Sequence, residues 1–497
     1  MTTTTERLSE YSGTEPGSAP DPRRWLALGI IAVAQLMVVL DASIVNIAMP
    51  KAQSDLHIST ADRQWIVTAY TLAFGGLLLL GGRVADFAGR KRALIIGLLG
   101  FALASALGGI APNAGLLFAA RALQGVFGAL LAPAALSLIT VTFTETRERA
   151  RAFGVYGAIA GGGAALGLIL GGLLTEFVSW RWCLLVNVPI ALVTAAAAVP
   201  IVRESKAEGK AHYDIPGAIT VSAGLVSLVY GFTKAAQDGW GAAVTLVFLG
   251  AAAVLLVVFV LIETRSAAPL LPLRVPLERN RGASFLSSLL IGGGLFAMFL
   301  FLTFYFQVSL GYSALRAGFA FLPFSGGIIV SAGLVSQLLP RTGPKIPMVA
   351  GTVLSASGLL LLTQIGLDTS YVSHVLPEEL LISVGLGLVF VPMSSLALVG
   401  VEPHDAGVAS ALVNATQQIG GSLGTALLNT VFATAVADYL VSHGTSPRGV
   451  AQAQISGYTT AFSWGAAMIL LALTVIVVLV RAGKADVPAD AVAVHAG

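Results

Sequence analysis

Two residues of this chain stand where charge is hardest to keep. Asp41 lies 16 residues into an apolar run that begins at Trp25, and Arg121 lies about seven residues into another that begins near Gly115. At 1.5 Å per helical residue, Asp41 is about 24 Å into a hydrocarbon layer about 30 Å thick. The fourth run crosses in the opposite sense, which puts Arg121 about 10 Å below the surface that Asp41 approaches, so the two share a depth. A carboxylate in a bilayer centre costs roughly 2.5–3.5 kcal/mol even on the gentlest scales. An opposite charge or shared water lowers that cost. Burial favours the protonated form of a carboxyl group, and a nearby guanidinium favours the ionised form. The chemistry on offer is reversible protonation at Asp41, tuned by Arg121. A static ion pair joining the first and fourth helices is the other reading, and both stay open here.

Such residues need a membrane-spanning scaffold, and the composition supplies one. Of 497 residues 56% are hydrophobic and 11% charged. Soluble proteins carry about 25% charged residues. The 56 glycines suit close packing of transmembrane helices. About fourteen runs reach the roughly 20 apolar residues that a spanning helix needs. They begin near Trp25, Gln64, Ala93, Gly115, Ala152, Trp182, Ile215, Ala242, Ala283, Ala317, Ile346, Leu380, Val408 and Tyr458. The first 20 or so residues are polar and predicted to be disordered. The pair Arg23–Arg24 leads into a full-length span, unlike a cleavable signal peptide.

Lysine and arginine fix the expected orientation. With the N-terminus cytoplasmic, 21 of the 28 basic residues fall in inside segments, six outside, and Arg121 within a span. The six outside are Lys51, Arg63, Arg181, Lys234, Arg316 and Arg448. Both termini are therefore expected in the cytoplasm. The single cysteine, Cys183, excludes an intramolecular disulfide. All six histidines fall in predicted loops, span ends or tails, which argues against a metal centre or histidine relay within the membrane. The net charge of +3 implies no nucleic-acid partner. No G-x-x-x-x-G-K-[ST] loop points to ATP hydrolysis, and no nucleophile–base pair or paired carboxylates at membrane depth point to an enzyme.

The loop "GGRVADFAGRKRALIIG" after the second span has a weak counterpart, "SQLLPRTGPKIPMVAG", after the tenth. Aligning Gly89 with Gly343 places Lys91 on Lys345, while Pro340 replaces Asp86 and Pro344 replaces Arg90. Both loops follow the second span of a six-span unit, spans 1–6 and 9–14. Spans 7 and 8 then form an insertion. Repeated halves with a site between them are a common transporter design.

These motifs resemble those of the major facilitator superfamily. "GGRVADFAGRKRALIIG" is similar to its signature between helices 2 and 3, with Gly82, Asp86, Gly89, Arg90 and Lys91 in place. "RALQGVFGALLAPA" resembles the fourth-helix motif, with Arg121, Gln124, Gly125 and Gly128. "LDASIVNIAMP", "WRWCLLVNVPIAL" and "GVASALVNATQQIGGSLGTALL" resemble the fourteen-span drug:proton antiporter branch. The resemblance covers the chain outside its two tails. One departure stands in the fifth helix. The antiporter motif has Gly-Pro before Gly-Gly, whereas this chain has Gly167, Leu168, Gly171 and Gly172.

The resemblance implies an all-α membrane protein with two six-helix halves and two inserted helices. The expected divisions are a tail at 1–24, a half at 25–203, the insertion at 204–264, a half at 265–482 and a tail at 483–497. It also implies a cytoplasmic gate at Asp86, which is expected against the positive N-terminal end of the thirteenth helix near Gly407. Arg90 is expected to pair with Glu145. Gly163, Gly167 and Gly171, with Gly172, form a smooth ridge for a neighbouring helix or a leak-proof hinge. Asn414, Gln417, Gln418 and Gly421 share one face of the thirteenth helix, either lining a cavity or bonding another helix. Gln35, Asn46, Trp65, Tyr70, Gln124, Tyr156, Phe304 and Gln307 are further candidates to touch substrate. An apolar, aromatic cavity with few fixed charges suits amphiphilic or cationic organic molecules. The expected activity is export of drug-like compounds from a cell's inner membrane by a monomer, with protons as coupling ion and no other cofactor. A dedicated exporter of one endogenous antibiotic, lipid or siderophore is the alternative.

Overall fold

The computed structural model describes residues 22–207, 213–266, 268–402 and 405–483. Both expected tails lie almost wholly outside these residues, as do His212, His404 and His495. The described chain holds 14 helices long and apolar enough to span a bilayer. They are α1 Arg24–Asp55, α2 Trp65–Ala88, α3 Arg90–Gly109, α4 Ala114–Thr142, α5 Arg151–Phe177, α6 Trp182–Ile201 and α7 Ile215–Asp238. The remainder are α8 Ala243–Arg265, α9 Arg279–Ser309, α10 Ala314–Thr342, α11 Lys345–Gln364, α12 Tyr371–Leu398, α13 Gly407–His443 and α14 Pro447–Leu479.

Two starts differ clearly from the sequence expectation. α14 begins at Pro447 rather than Tyr458, because Gln452, Gln454 and Ser456 hide its first turns from a hydropathy window. Its start is nevertheless well specified, by Pro447 in the first turn and a Ser446 side chain that accepts Gly449 N. α12 begins at Tyr371 rather than Leu380, and its first turns carry Glu378 and Glu379. A span therefore carries a buried acid besides Asp41. Glu379 is fully buried, 3.4 Å from the Tyr371 hydroxyl.

Helices α1–α6 form one half and α9–α14 the other, with α7 and α8 packed as a hairpin against α2 and α13. The internal repeat is visible in atomic detail. Gly89 and Gly343 both take positive φ, 118° and 72°, a region where glycine carries no Cβ penalty. Just beyond them, Lys91 Nζ donates to Val199 O near the end of α6 at 2.6 Å. Lys345 Nζ donates to Val477 O near the end of α14 at 2.8 Å. Each lysine thus ties the third helix of its half to a carbonyl at the end of the sixth, where a cation is also favoured by the helix dipole.

Glycines let the helices come close. A Cβ on Gly167 would lie 2.8 Å from Ser43 Cβ, and one on Gly171 2.9 Å from Ile44 O, so the α5 ridge lies on α1. Gly163 meets Leu36 and Val39 of the same helix. Gly172 alone of the four faces the other half, at Leu315. The carbonyl of Leu168, at the position of the missing proline, packs against Gly318 of α10.

Because the spans alternate in direction, the loops after even-numbered helices gather Arg83, Arg90–Arg92, Arg265, Arg274, Arg279, Arg281, Arg341 and Lys345 at one end, here called the basic end. At the same end Arg24 grips Glu148 through two contacts of 2.7 and 2.9 Å, which hold the Glu148 carboxyl below its usual range. The halves are closed at the opposite end. There Gln307 Nε2 donates to Ile47 O at 2.9 Å, and Glu176 accepts Leu315 N at 3.0 Å. Ser422 Oγ donates to Thr68 O at 3.1 Å. Along α2 and α13 this contact runs as far as Gly75, where a Cβ would meet Gln418 Cβ at 3.1 Å. Nearer the basic end the halves part, and Gly407 and Asn414 of α13 are exposed.

Arg63, expected as an ordinary loop charge, is the centre of that closure. It is 3% exposed. Its guanidinium lies 4.1 Å from the Phe304 ring centre and 4.6 Å from that of Phe432, and Nε donates to Asn429 Oδ1 at 3.1 Å. The Asn429 amide donates in turn to Thr60 O at 2.9 Å. Burial pushes Arg63 down to about 10, so it stays cationic at neutral pH. A desolvated cation–π contact contributes about 2 kcal/mol or more. Arg63→Ala should loosen the closure. A Ser422→Cys reporter in a Cys183→Ser background should then react several-fold faster with a water-soluble maleimide, and an unchanged rate would show that Arg63 does not hold the halves together.

Candidate functional site

The buried centre of the first half is built by five helices. α1 brings Asp41, α4 brings Arg121 and Gln124, α3 brings Ser105, α6 brings Asn187 and α2 brings Tyr70. All are at most 2% exposed. Arg121 Nη1 donates to Asp41 Oδ2 at 2.6 Å, the contact that the shared depth anticipates. Oδ1 of Asp41 accepts Gln124 Nε2 at 2.9 Å and Asn187 Nδ2 at 2.8 Å. Arg121 also donates through Nη1 to Gln124 Oε1 at 2.8 Å and through Nε to Ile66 O at 2.9 Å. Its face stacks 4.5 Å from the Tyr70 ring centre. Gln124 Nε2 bonds Ser105 Oγ at 2.7 Å.

Three donors converge on Asp41, which suits an acceptor-only, ionised carboxylate. Oδ2 accepts only Arg121, so one acceptor site is left for an arriving proton. Asn187 Oδ1 is buried without a partner and is free to accept a hydrogen bond from a protonated Asp41 after an amide rotation. A void of about 10 Å³ lies beside Arg121, among Met49, Ile66, Trp180 and Cys183, which is room for about one water. Ser105 carries no signal in the sequence, and Asn187 lies within the stretch "WRWCLLVNVPIAL" with nothing there to mark it as a ligand of Asp41. They are neutral, and their partners are distant in the chain.

The loop between α2 and α3 has a different geometry from the one expected. Arg90 pairs with Asp86 at 2.8 Å and bonds Ser205 O through its backbone, rather than pairing with Glu145. Asp86 is only four residues away across the Gly89 turn, which makes it the nearer acid. The expected contact of Asp86 with α13 is not formed either. The halves part at this end, and a Cβ on Gly407 would meet nothing within 4 Å. Glu204 takes the helix-capping role instead, accepting Lys91 N and Arg92 N at 3.1 and 3.2 Å. A Cβ on Gly82 would touch Pro133 of α4 at 3.5 Å.

The substrate-contact candidates separate into groups. Tyr70 and Gln124 belong to the Asp41 cluster. Phe304 lies under Arg63, and Gln307 bonds α1, so both serve the closure between halves. Trp65 faces an apolar groove of about 520 Å³ between α2, α4 and α7, lined also by Leu72, Phe118, Ile219 and Val226. Gln35 accepts the Tyr156 hydroxyl at 2.8 Å, and Asn46 bonds Ala42 O in its own helix. On α13 Asn414 is exposed, while Gln417 and Gln418 are half-buried. Gln417 lies over Gly292 of α9 and Gln418 over Gly75 of α2. Gln35, Tyr156 and Asn414 are the members best placed toward the parted end.

The family model of the Major Facilitator Superfamily matches residues 31–425. A puromycin resistance protein of Streptomyces alboniger is 50% identical over 464 residues, covering 93% of this chain and 92% of that protein. A cephamycin export protein of Amycolatopsis lactamdurans is 40% identical over 82% of this chain and 84% of its own length. A tetracenomycin C resistance and export protein of Streptomyces glaucescens is 36% identical, with coverages of 87% and 81%. Among solved structures, an auto-inhibited POT family peptide transporter shares the fold, with a TM-score of 0.66 at 17% identity over 92% of this chain and 96% of that one. With fourteen spans, two six-helix halves and an inserted hairpin, this chain belongs to the major facilitator superfamily and is a multi-pass membrane transporter, not an enzyme.

Proposed function

We propose that the chain exports drug-like, amphiphilic organic compounds across the cytoplasmic membrane in exchange for protons, with its basic end in the cytoplasm. The orientation follows from the excess of basic residues at that end. In this orientation the conformation described above is closed to the outside and parted toward the cytoplasm. Relatives whose names record puromycin resistance, cephamycin export and tetracenomycin C export support small organic cargo moved outward.

The Asp41–Arg121 pair carries the proton reading. Its carboxylate is buried and takes three donors from two other helices, α4 and α6, so it joins three helices at one point. A proton on Asp41 cancels the charge that holds Arg121 and lets α1, α4 and α6 shift against each other. Both arms of the pair lead to the closure between halves. Asp41 shares α1 with Ile47, the acceptor for Gln307. Arg121 holds Ile66 O, three residues from Arg63. Protonation at the centre therefore acts on the outer clasp through two rigid helices. Substrate would enter from the parted side, past Gln35, Tyr156 and Asn414.

A second reading is a dedicated exporter of one compound, because several relatives are named for a single antibiotic. Growth protection against chemically unrelated dyes and antibiotics separates the two. Protection against many supports the broad reading, and protection against one supports the dedicated exporter.

Asp41→Asn keeps the shape and a hydrogen-bonding amide but cannot cycle a proton. In proteoliposomes with an imposed pH gradient, gradient-driven efflux should fall about a hundredfold or more, the range expected when a proton-transfer group is lost. Arg121 keeps Ile66 O, Gln124 and the Tyr70 face, so the variant should be less stable yet still folded and able to bind substrate. Undiminished gradient-driven efflux would make the pair a static tie between α1 and α4.

A further inference from the structure

The inserted hairpin carries a pair of buried acids at the basic end. Asp214 is 5% exposed and caps α7, its Oδ1 accepting Gly217 N at 2.9 Å. Glu263 is 4% exposed in the last turn of α8, its Oε2 accepting Leu271 N at 2.9 Å. The second oxygen of each, Asp214 Oδ2 and Glu263 Oε1, is buried with no hydrogen-bond partner. These two oxygens meet over Gly217. A Cβ there would lie 2.8 Å from one and 2.9 Å from the other, so glycine is what leaves room for them.

Two carboxylate oxygens are both acceptors, and neither can satisfy the other. Buried side by side, two carboxylates do not both ionise, and they titrate as a unit. A single proton turns the pair into one O–H···O bond and satisfies both orphan atoms. We propose that Asp214 and Glu263 form a carboxyl–carboxylate pair that binds one proton, and that this proton fastens the α7–α8 hairpin to the segment entering the second half. When the proton leaves to solvent, two anions oppose each other, and Glu263 gives up Leu271 N to turn away.

The segment being fastened is a strategic one. Arg83 of α2, within the loop motif at the basic end, donates to Ala268 O at 2.8 Å and to Pro269 O. The stretch from Ala268 to Leu271 is thus held by the first half through Arg83 and by the hairpin through Glu263. The charged and titratable groups around the pair are Arg83 from α2, Tyr213 ahead of α7, and the exposed Arg265 at the end of α8. Among the described residues from 266 to 273 none is charged. The proton site is separate from Asp41 and gives the hairpin a role in linking the halves at the basic end.

The test follows labelling of an Ala268→Cys reporter in a Cys183→Ser background, using the full chain in lipid nanodiscs. The pH is varied from about 5 to about 9, where buried carboxyls titrate. Rates are read relative to the same reporter with Glu263→Gln, which cancels the pH dependence of the thiol itself. The glutamine amide donates permanently to Asp214, so that variant should stay fastened. The parent should match it at low pH and label several-fold faster at high pH. Asp214→Asn should behave like Glu263→Gln, and Glu263→Ala should label fast throughout. A parent that tracks Glu263→Gln at every pH would overturn the proposal. So would a rate that responds to exchanging sodium for potassium, which would mark a metal cation in place of the proton. The readout needs no transport, so it stands apart from whether Asp41 couples flux to protons.

Discussion

The structure depends on a charge pair shielded from bulk water, with Arg121 1% exposed and Asp41 fully buried. Removing a carboxylate and a guanidinium from water costs several kcal/mol each, and their attraction repays this only when the remaining hydrogen bonds are also made. Asp41 and Arg121 meet that condition through Gln124, Asn187, Ile66 O and the Tyr70 face. Four helices besides α1 are therefore positioned by one carboxylate, either directly or through a single intermediary. Loss of either charge would leave the other stranded at membrane depth. A proton is the one small partner that removes the charge and leaves the covalent structure intact.

The rest of the molecule keeps that pair sensitive to the relation between halves. The closed end is held by polar groups facing across the interface, Arg63 to Asn429, Ser422 to Thr68 O and Gln307 to Ile47 O. Such contacts are directional and break over a short distance, and they sit within an apolar cluster that joins the halves, from Ile44 and Ile47 to Phe301 and Phe304. Within a half, the glycine contacts between α5 and α1 are close and leave little slack. Tight packing inside each half and separable contacts between them are what alternating access requires.

Much of this was legible in the sequence, for physical reasons. Membrane depth is a one-dimensional quantity, so residue counting put Asp41 and Arg121 at a similar depth, and the structure shows them in contact. The spacing of Gly89 and Lys91 returned at Gly343 and Lys345, and the structure shows the same fastening twice. What escaped was set by three-dimensional neighbours. Asn187 is an ordinary amide in the sequence, and only the approach of α6 to α1 makes it a ligand of Asp41. Arg63 sits in a turn that counts as a loop, yet aromatic rings from α9 and α13 cover it. Glu379 was hidden because its own charge masked the start of α12. The pairing of Arg90 with Asp86 was missed because a helix-breaking glycine between them conceals their proximity.

The lysine fastening of each half has a mechanical side. With α3 tied to α6 and α11 tied to α14, the third and sixth helices of each half are held together at the basic end. α2 and α13 cross closely at Gly75, against Gln418 and Ala415, which makes that crossing a natural fulcrum. Arg63 is 12 residues from Gly75, an arm of about 18 Å at helical rise. A rocking of about 15° at the fulcrum would sweep Arg63 through an arc of about 5 Å. Added to its 4.1 Å separation from Phe304, such a sweep away from the ring would carry the guanidinium beyond the roughly 6 Å reach of a cation–π contact.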